Sequence, residues 1–253
     1  MDVMHIELEN NSAPSLKDYI EKNDIHGIGF DLDSTLIDTH SYVDEGLFCV
    51  GMTIAEQLEV NISSEEIAFE IVRISREIYA ENNYRPMLMP DLCYQAVGRY
   101  KSEEFAIEMK DFIDDTLEYF YLHSPEPYSK TKYVIETIRS FCLPIIVHSD
   151  AQEGWTDIKI QRLKEDIGFT LLYLATDLKR KKGFESWKEA VTQIERDMSE
   201  MLIVGDSLKS DIIPALEAGC KHVVWLNHFG KELPEELKGR VYVITKIEDL
   251  LYL

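Results

Sequence analysis

Short apolar runs that each stop at a polar residue constrain this chain more than any other feature: Gly27 to Phe30 before Asp31, Pro144 to Val147 before His148, and Met201 to Val204 before Gly205. Leu171 to Ala175, His222 to Leu226 and Val241 to Ile244 add further candidate strands at similar intervals. Helical periodicity fills the spaces between them, over Thr131 to Ser140, Thr156 to Glu165, Glu185 to Arg196 and Leu208 to Ala218. Strands alternating with helices predict an α/β fold, a doubly wound, Rossmann-like parallel sheet covered on both faces. Such sheets carry ligands at the carboxyl ends of their strands.

One connection breaks the rhythm. From Ser34 to His148 the chain is far longer than the dozen or so residues that a simple crossover needs. The surplus reads as helix. Ser63 and Glu66 have capping-box spacing, and Ile67, Ile71, Ile74 and Ile78 then share one face. A second helix follows Ser102, with Phe105, Met109, Phe112, Ile113, Thr116 and Phe120 as its apolar stripe. Asn83 to Pro90, which contains two prolines, reads as a loop. The expected organisation is an α/β core domain over residues 1–38 and 125–253, with an inserted α-helical cap domain over residues 39–124.

Charge bounds the partners. Lys and Arg number 26 against 47 Asp and Glu, a formal charge of −21 that repels nucleic-acid backbone and anionic membrane. Neither is expected as a partner. A small anionic substrate remains compatible, because a bound divalent cation dominates its own site and distant charge is screened over about 8 Å. Cys49, Cys93, Cys142 and Cys220 lie far apart without a C-x-x-C pair, so they read as reduced, mostly buried thiols. The first residues lack a basic segment followed by an apolar one, and nowhere do 18 apolar residues run together, so the expected location is the cytoplasm. Nothing in the sequence speaks to oligomeric state.

Asp31-Leu32-Asp33-Ser34-Thr35 puts two carboxylates on the turn leaving a buried strand. Alone, this pattern reads first as a turn whose aspartates cap backbone amides. Its weight comes from three further segments in fixed order: Ser149 after IIVH, the lysines of KRKKGFESW, and Gly205-Asp206-Ser207-Leu208-Lys209-Ser210-Asp211. The combination resembles the four motifs of the haloacid dehalogenase superfamily. The resemblance runs over nearly the whole chain after about residue 25, including PEPYSKTKYVIETI and AGCKHVVWL, and the helical insertion is similar to that superfamily's first cap type.

The resemblance implies a chemistry for each position. Asp31 matches the nucleophile that forms an acyl phosphate, and Asp33 the general acid that protonates the leaving group and then activates water. Dehalogenases of the superfamily lack that second Asp and its ATPases carry Thr there, so Asp33 favours a phosphatase or phosphomutase. Asp31, the backbone carbonyl of Asp33, and Asp206 match the ligands of Mg2+, with Asp211 as the second acidic position. A carboxylate serving a helix N-terminus is the other reading of Asp211.

Ser149 matches the hydroxyl that binds a phosphoryl oxygen, although Asp150 follows where relatives often have Asn. Lys179, Lys181 and Lys182 compete for the phosphate-binding lysine. Spacing to Trp187 points to Lys181, while the missing proline, replaced by Lys182, keeps Lys182 open. His148 should face away from Ser149 and serve structure. Arg85 is a candidate for substrate selection, or else one half of a surface ion pair. The implied activity is magnesium-dependent hydrolysis of a small phosphorylated metabolite, with a phosphomutase or a non-catalytic binding protein on the same fold as rivals.

Overall fold

The computed structural model describes residues 15–58, 62–82, 88–177 and 180–253. Arg85 and Lys179 lie outside the described residues, as does most of the segment read as a loop from Asn83. In chain order, helix α1 (Leu16–Lys22) and strand β1 (Gly27–Asp31) precede five helices: α2 (Thr39–Glu56), α3 (Ser64–Glu81), α4 (Met89–Tyr100), α5 (Glu103–Glu108) and α6 (Lys110–Tyr121). There follow α7 (Thr131–Arg139), β2 (Ile145–Ser149), α8 (Glu153–Ile167), β3 (Leu172–Ala175), α9 (Phe184–Thr192), β4 (Met201–Gly205), α10 (Ile213–Glu217), β5 (His222–Leu226) and β6 (Val241–Ile244). The chain divides into two compact units, Met1–Asp38 with Glu126–Leu253, and Thr39–Pro125.

The first unit is built on one parallel sheet in the order β3-β2-β1-β4-β5-β6. Residues of β1 and β4 are buried throughout, which explains why these strands read as unbroken apolar runs. Alternation along them still sorts side chains to two faces. Ile28 and Phe30 pack with Val134 and Ile138 of α7 and with Ile160 and Leu163 of α8, whereas Ile146 and Ile203 pack with Trp187 and Ala190 of α9. Gly29 faces α9, and a Cβ there would lie 3.1 Å from the Trp187 ring and 2.6 Å from Ile203, so glycine is what lets this indole sit on the sheet. Strand order reverses direction between β1 and β4, the point at which doubly wound sheets open a crevice beyond their carboxyl ends. Asp31 and Asp206 therefore leave the sheet side by side.

The second unit is helical in all its described elements. Ser63 and Glu66 form the capping box reciprocally, and Ile67, Ile71, Ile74 and Ile78 are buried along α3. The stripe after Ser102 is differently arranged from a single helix. A break at Met109 shifts the phase, so that Phe105, Ile113, Leu117 and Phe120 are buried while Phe112 is exposed. Pro90 lies in the first turn of α4, where its missing N–H is harmless, and not in a loop. Leu208 to Ala218 is likewise divided, a π-helical turn over Leu208–Ile212 leading into α10 with Pro214 near its start. Cys93 and Cys220 are buried, but Cys49 and Cys142 are exposed. Among the described residues no helix is long and apolar enough to cross a membrane.

Candidate active site

After Asp31 the chain turns sharply. The Leu32 carbonyl accepts from the N–H groups of Leu36 (3.0 Å) and Ile37 (3.2 Å), and the Ser34 N–H donates to the Ile37 carbonyl (2.8 Å). Ser34 itself sits at φ 61°, in the left-handed region. His228, in the loop after β5, donates through Nε2 to the Ser34 carbonyl (2.7 Å), and the Thr131 hydroxyl donates to that of Leu36 (2.8 Å). The turn is thus pinned from two directions, which fixes Asp31 and Asp33 relative to the sheet.

Asp31 is buried, and Lys182 donates to its Oδ1. The same ammonium donates to the His148 carbonyl (2.8 Å) and lies 2.7 Å from Asp211 Oδ1. Lys181, favoured by spacing, is exposed; Lys182 is the lysine that reaches this group. The cause is Asp150. Its Oδ1 accepts from the Lys182 N–H (3.1 Å) and from the Thr176 hydroxyl (2.5 Å), clamping the backbone so that residue 182 faces inward and residue 181 outward. His148 turns the other way, as alternation requires. Its Nδ1–H donates to the Leu174 carbonyl (3.0 Å), its Nε2 pairs with the Ser186 hydroxyl (2.8 Å), and burial holds it neutral by pushing its pKa well down.

Gly205 ends β4 because a Cβ there would lie 2.5 Å from the carboxylate of Asp211. That carboxylate is completely buried and accepts at Oδ2 from the Ser207 N–H (3.0 Å), while its Oδ1 lies 2.7 Å from Lys182, so Asp211 both serves the start of the helical turn and stands in the same cluster as Asp31. Two indoles hold the surrounding loop: Trp225 donates to the Asp206 carbonyl (2.8 Å) and Trp187 to that of Ser210 (3.0 Å).

Asp33 accepts from the Ser149 hydroxyl at Oδ2 (2.7 Å) and from Lys159 at Oδ1 (2.5 Å). Ser149 is buried and also receives the Ala151 N–H (3.2 Å). Sequence reasoning missed Lys159. The signal was available, because Lys159 falls with Thr156, Ile160 and Leu163 on the buried face of α8, where a lysine needs a partner.

The cluster is electrostatically unbalanced. Burial pushes the Asp31 carboxyl well above its ordinary range, Lys182 opposes this, and Asp211, Asp206 and Asp33 reinforce it. Asp206 is pushed to about 7 by burial and by Asp211, again against Lys182. Burial lowers the Lys182 ammonium, but Asp211 and Asp31 outweigh it and hold the group above its ordinary value. One oxygen from each of Asp31, Asp206 and Asp211 lies within 4.8 Å of the other two. Asp31 Oδ2 and Asp211 Oδ1 are buried without a well-aligned hydrogen bond among the described residues. Three carboxylates against one ammonium, all of them oxygen ligands, suit a hard divalent cation.

Comparison with known proteins follows the same lines. A family model described as haloacid dehalogenase-like hydrolase matches residues 28–225. No curated protein sequence matches the chain. Similar solved structures include the HAD-hydrolase YfnB from Bacillus subtilis bound to magnesium, at 16% identity and TM-score 0.65, covering 89% of this chain and 96% of that one. A 2-haloacid dehalogenase from Pseudomonas syringae is 21% identical with TM-score 0.57, and a HAD phosphatase from Thermococcus onnurineus 19% identical with TM-score 0.56; each comparison covers 89% of this chain and 96% of the other.

Proposed function

The chain belongs to the haloacid dehalogenase-like hydrolases, and from that membership we propose that it hydrolyses phosphomonoesters of small metabolites, with Mg2+ as cofactor and an aspartyl phosphate at Asp31 as intermediate. The observation that carries the reading is Asp33, a second carboxylate on the same turn, set against the Ser149 hydroxyl at 2.7 Å. Displacement of halide needs no proton donor for an alkoxide, whereas ester cleavage does.

Asp31 Oδ2, which carries no hydrogen bond among the described residues, is the oxygen left to attack phosphorus as the ester P–O bond breaks. Lys182 sets its ammonium where negative charge gathers. Asp33 gives a proton to the leaving oxygen and later takes one from the water that cleaves the acyl phosphate. Ser149, matched to phosphate binding by the resemblance, gives its one hydroxyl proton to Asp33, so in this reading it holds the acid at the edge of the phosphoryl site. Asp31, Asp206 and Asp211 would hold Mg2+, joined by the Asp33 carbonyl that the resemblance implies, and the ion would supply charge neutralisation for the transferring group. We assign substrate selection to the helical insertion, with Arg85 the first residue to substitute.

Phosphate release from a panel of phosphorylated metabolites, titrated with Mg2+ and reversed by chelation, tests this directly. Asp31→Asn should remove turnover while the protein stays folded. Halide release from 2-haloacids with no phosphate release from any ester would overturn the phosphatase reading.

A further inference from the structure

We propose that Lys159 is a positioning residue that, together with Ser149, fixes the carboxylate of Asp33; the inference rests on the reading of Asp33 as the proton-transfer group. Lys159 is fully buried within α8. A lysine is almost never enclosed in this way unless it is paired, and a buried ion pair is a poor means of stabilising a core that a methionine would fill as well. Its presence calls for an account in terms of what the ammonium holds.

What it holds is one side of a two-point clamp. Lys159 Nζ lies 2.5 Å from Asp33 Oδ1, and the Ser149 hydroxyl lies 2.7 Å from Oδ2, so donors from α8 and from the end of β2 fix the direction and plane of the carboxylate. The Trp155 ring, one helical turn earlier, lies 4.2 Å from the same ammonium and covers it with a π face. A carboxylate offers about four lone-pair sites, so two donors holding Asp33 do not of themselves stop it exchanging a proton with a leaving oxygen or a water. The two buried ammonium groups divide the two aspartates of the turn between them, Lys182 taking Asp31 and Lys159 taking Asp33. Proton transfer depends on sub-ångström placement, and a carboxylate on a turn otherwise has free torsions to search.

Lys159→Met, Asp33→Asn and the double variant, assayed on an alkyl phosphomonoester and on p-nitrophenyl phosphate, test the clamp. Lys159→Met should lower kcat on the alkyl ester by about 100-fold with KM nearly unchanged, and on the aryl ester, whose leaving group needs little protonation, by less than about fivefold. The double variant should be no slower than Asp33→Asn alone. Lys159→Gln, which keeps a donor, should recover part of the alkyl-ester rate and serves if the methionine variant does not fold. Equal losses on both esters, or losses that multiply in the double variant, would overturn the proposal. Thermal denaturation of the same set gives a readout free of turnover: the Tm shifts of the single variants should be non-additive, and additive shifts would sink the clamp. If the unsubstituted protein hydrolyses no ester while the shifts remain coupled, the phosphatase reading fails and the clamp stands.

Discussion

Lys182 lies 2.7 Å from Asp211 and donates to Asp31, tying the loop before α9 to the end of β1 and to the π-helical turn after β4. Its neighbour Lys181 is exposed. Removing an ammonium that is buried between two carboxylates leaves both uncompensated, whereas removing a solvated one changes little. Lys182→Ala should therefore lower kcat/KM by about 2 to 5 kcal/mol of transition-state stabilisation. Lys181→Ala should change it by less than about twofold. Steady-state kinetics on one phosphoester decides this, and similar losses in the two variants would remove Lys182 from its assigned role.

That contrast marks where the sequence stopped being legible. Asp31 and Asp206 follow an apolar run and a glycine at strand ends, which are visible in a linear pattern, and Asp211 was legible only through the resemblance of the segment after Gly205. The choice between Lys181 and Lys182 depends on a backbone clamp by Asp150, whose partner Thr176 is on another strand's end, and no spacing encodes it. Lys159 was concealed differently. It sits on the apolar face of α8, but a single lysine in a helical pattern reads as solvated until the face it shares with Ile160 and Leu163 is followed through. The helix break at Met109 left no trace in residue type, since Met continues a helix readily.

Ser34 occupies a position that a glycine would fill without strain. At φ 61° a residue with a Cβ carries about 1–2 kcal/mol of steric cost, while glycine adds about 0.5–1 kcal/mol of chain entropy on folding. The hydrogen bonds of Ser34 to Ile37 and His228 are made by backbone atoms and survive the change. Ser34→Gly should thus leave stability unchanged or raise it by up to about 1 kcal/mol, and Ser34→Val should lower it by about 1–3 kcal/mol. Urea unfolding of both variants measures the difference, and a loss of more than about 1 kcal/mol in the glycine variant would contradict the strain argument.

His222 joins β5 to α1 through a 2.9 Å hydrogen bond between its Nδ1 and the Tyr19 hydroxyl. Burial, with Lys221 adding to it, holds the imidazole pKa below its ordinary value of 6.5. The unfolded chain then binds a proton that the folded one refuses. Above 6.5 both states are neutral and the group contributes no pH dependence; as pH falls from 6.5 toward the lower folded value, stability is lost. Tm should accordingly decline on acidification from pH 7 to about 5.5, and His222→Gln should flatten the part of that decline due to this residue. Identical pH profiles for the two proteins would exclude it.

Divalent cation should stabilise the folded protein through Asp206 in particular. Asp31, Asp206 and Asp211 share one ammonium, Asp206 is pushed to about 7 by burial and by Asp211, and two carboxylate oxygens of the cluster lack a well-aligned hydrogen bond among the described residues. A cation that binds only the folded cluster adds about 2.7 kcal/mol at 100 times its Kd, enough to raise Tm by about 5 °C or more in a chain of this size. Calorimetry of chelator-treated protein with added MgCl2, against NaCl at matched ionic strength, should give that rise only with the divalent salt. Asp206→Asn removes a ligand oxygen's charge and relieves the repulsion at once, so its metal-free Tm should equal or exceed that of the parent while its response to Mg2+ is largely lost. Glu236→Gln, at an exposed position, should respond as the parent does. An undiminished Mg2+ response in Asp206→Asn would place the cation elsewhere on this acidic surface and detach Asp206 from the metal.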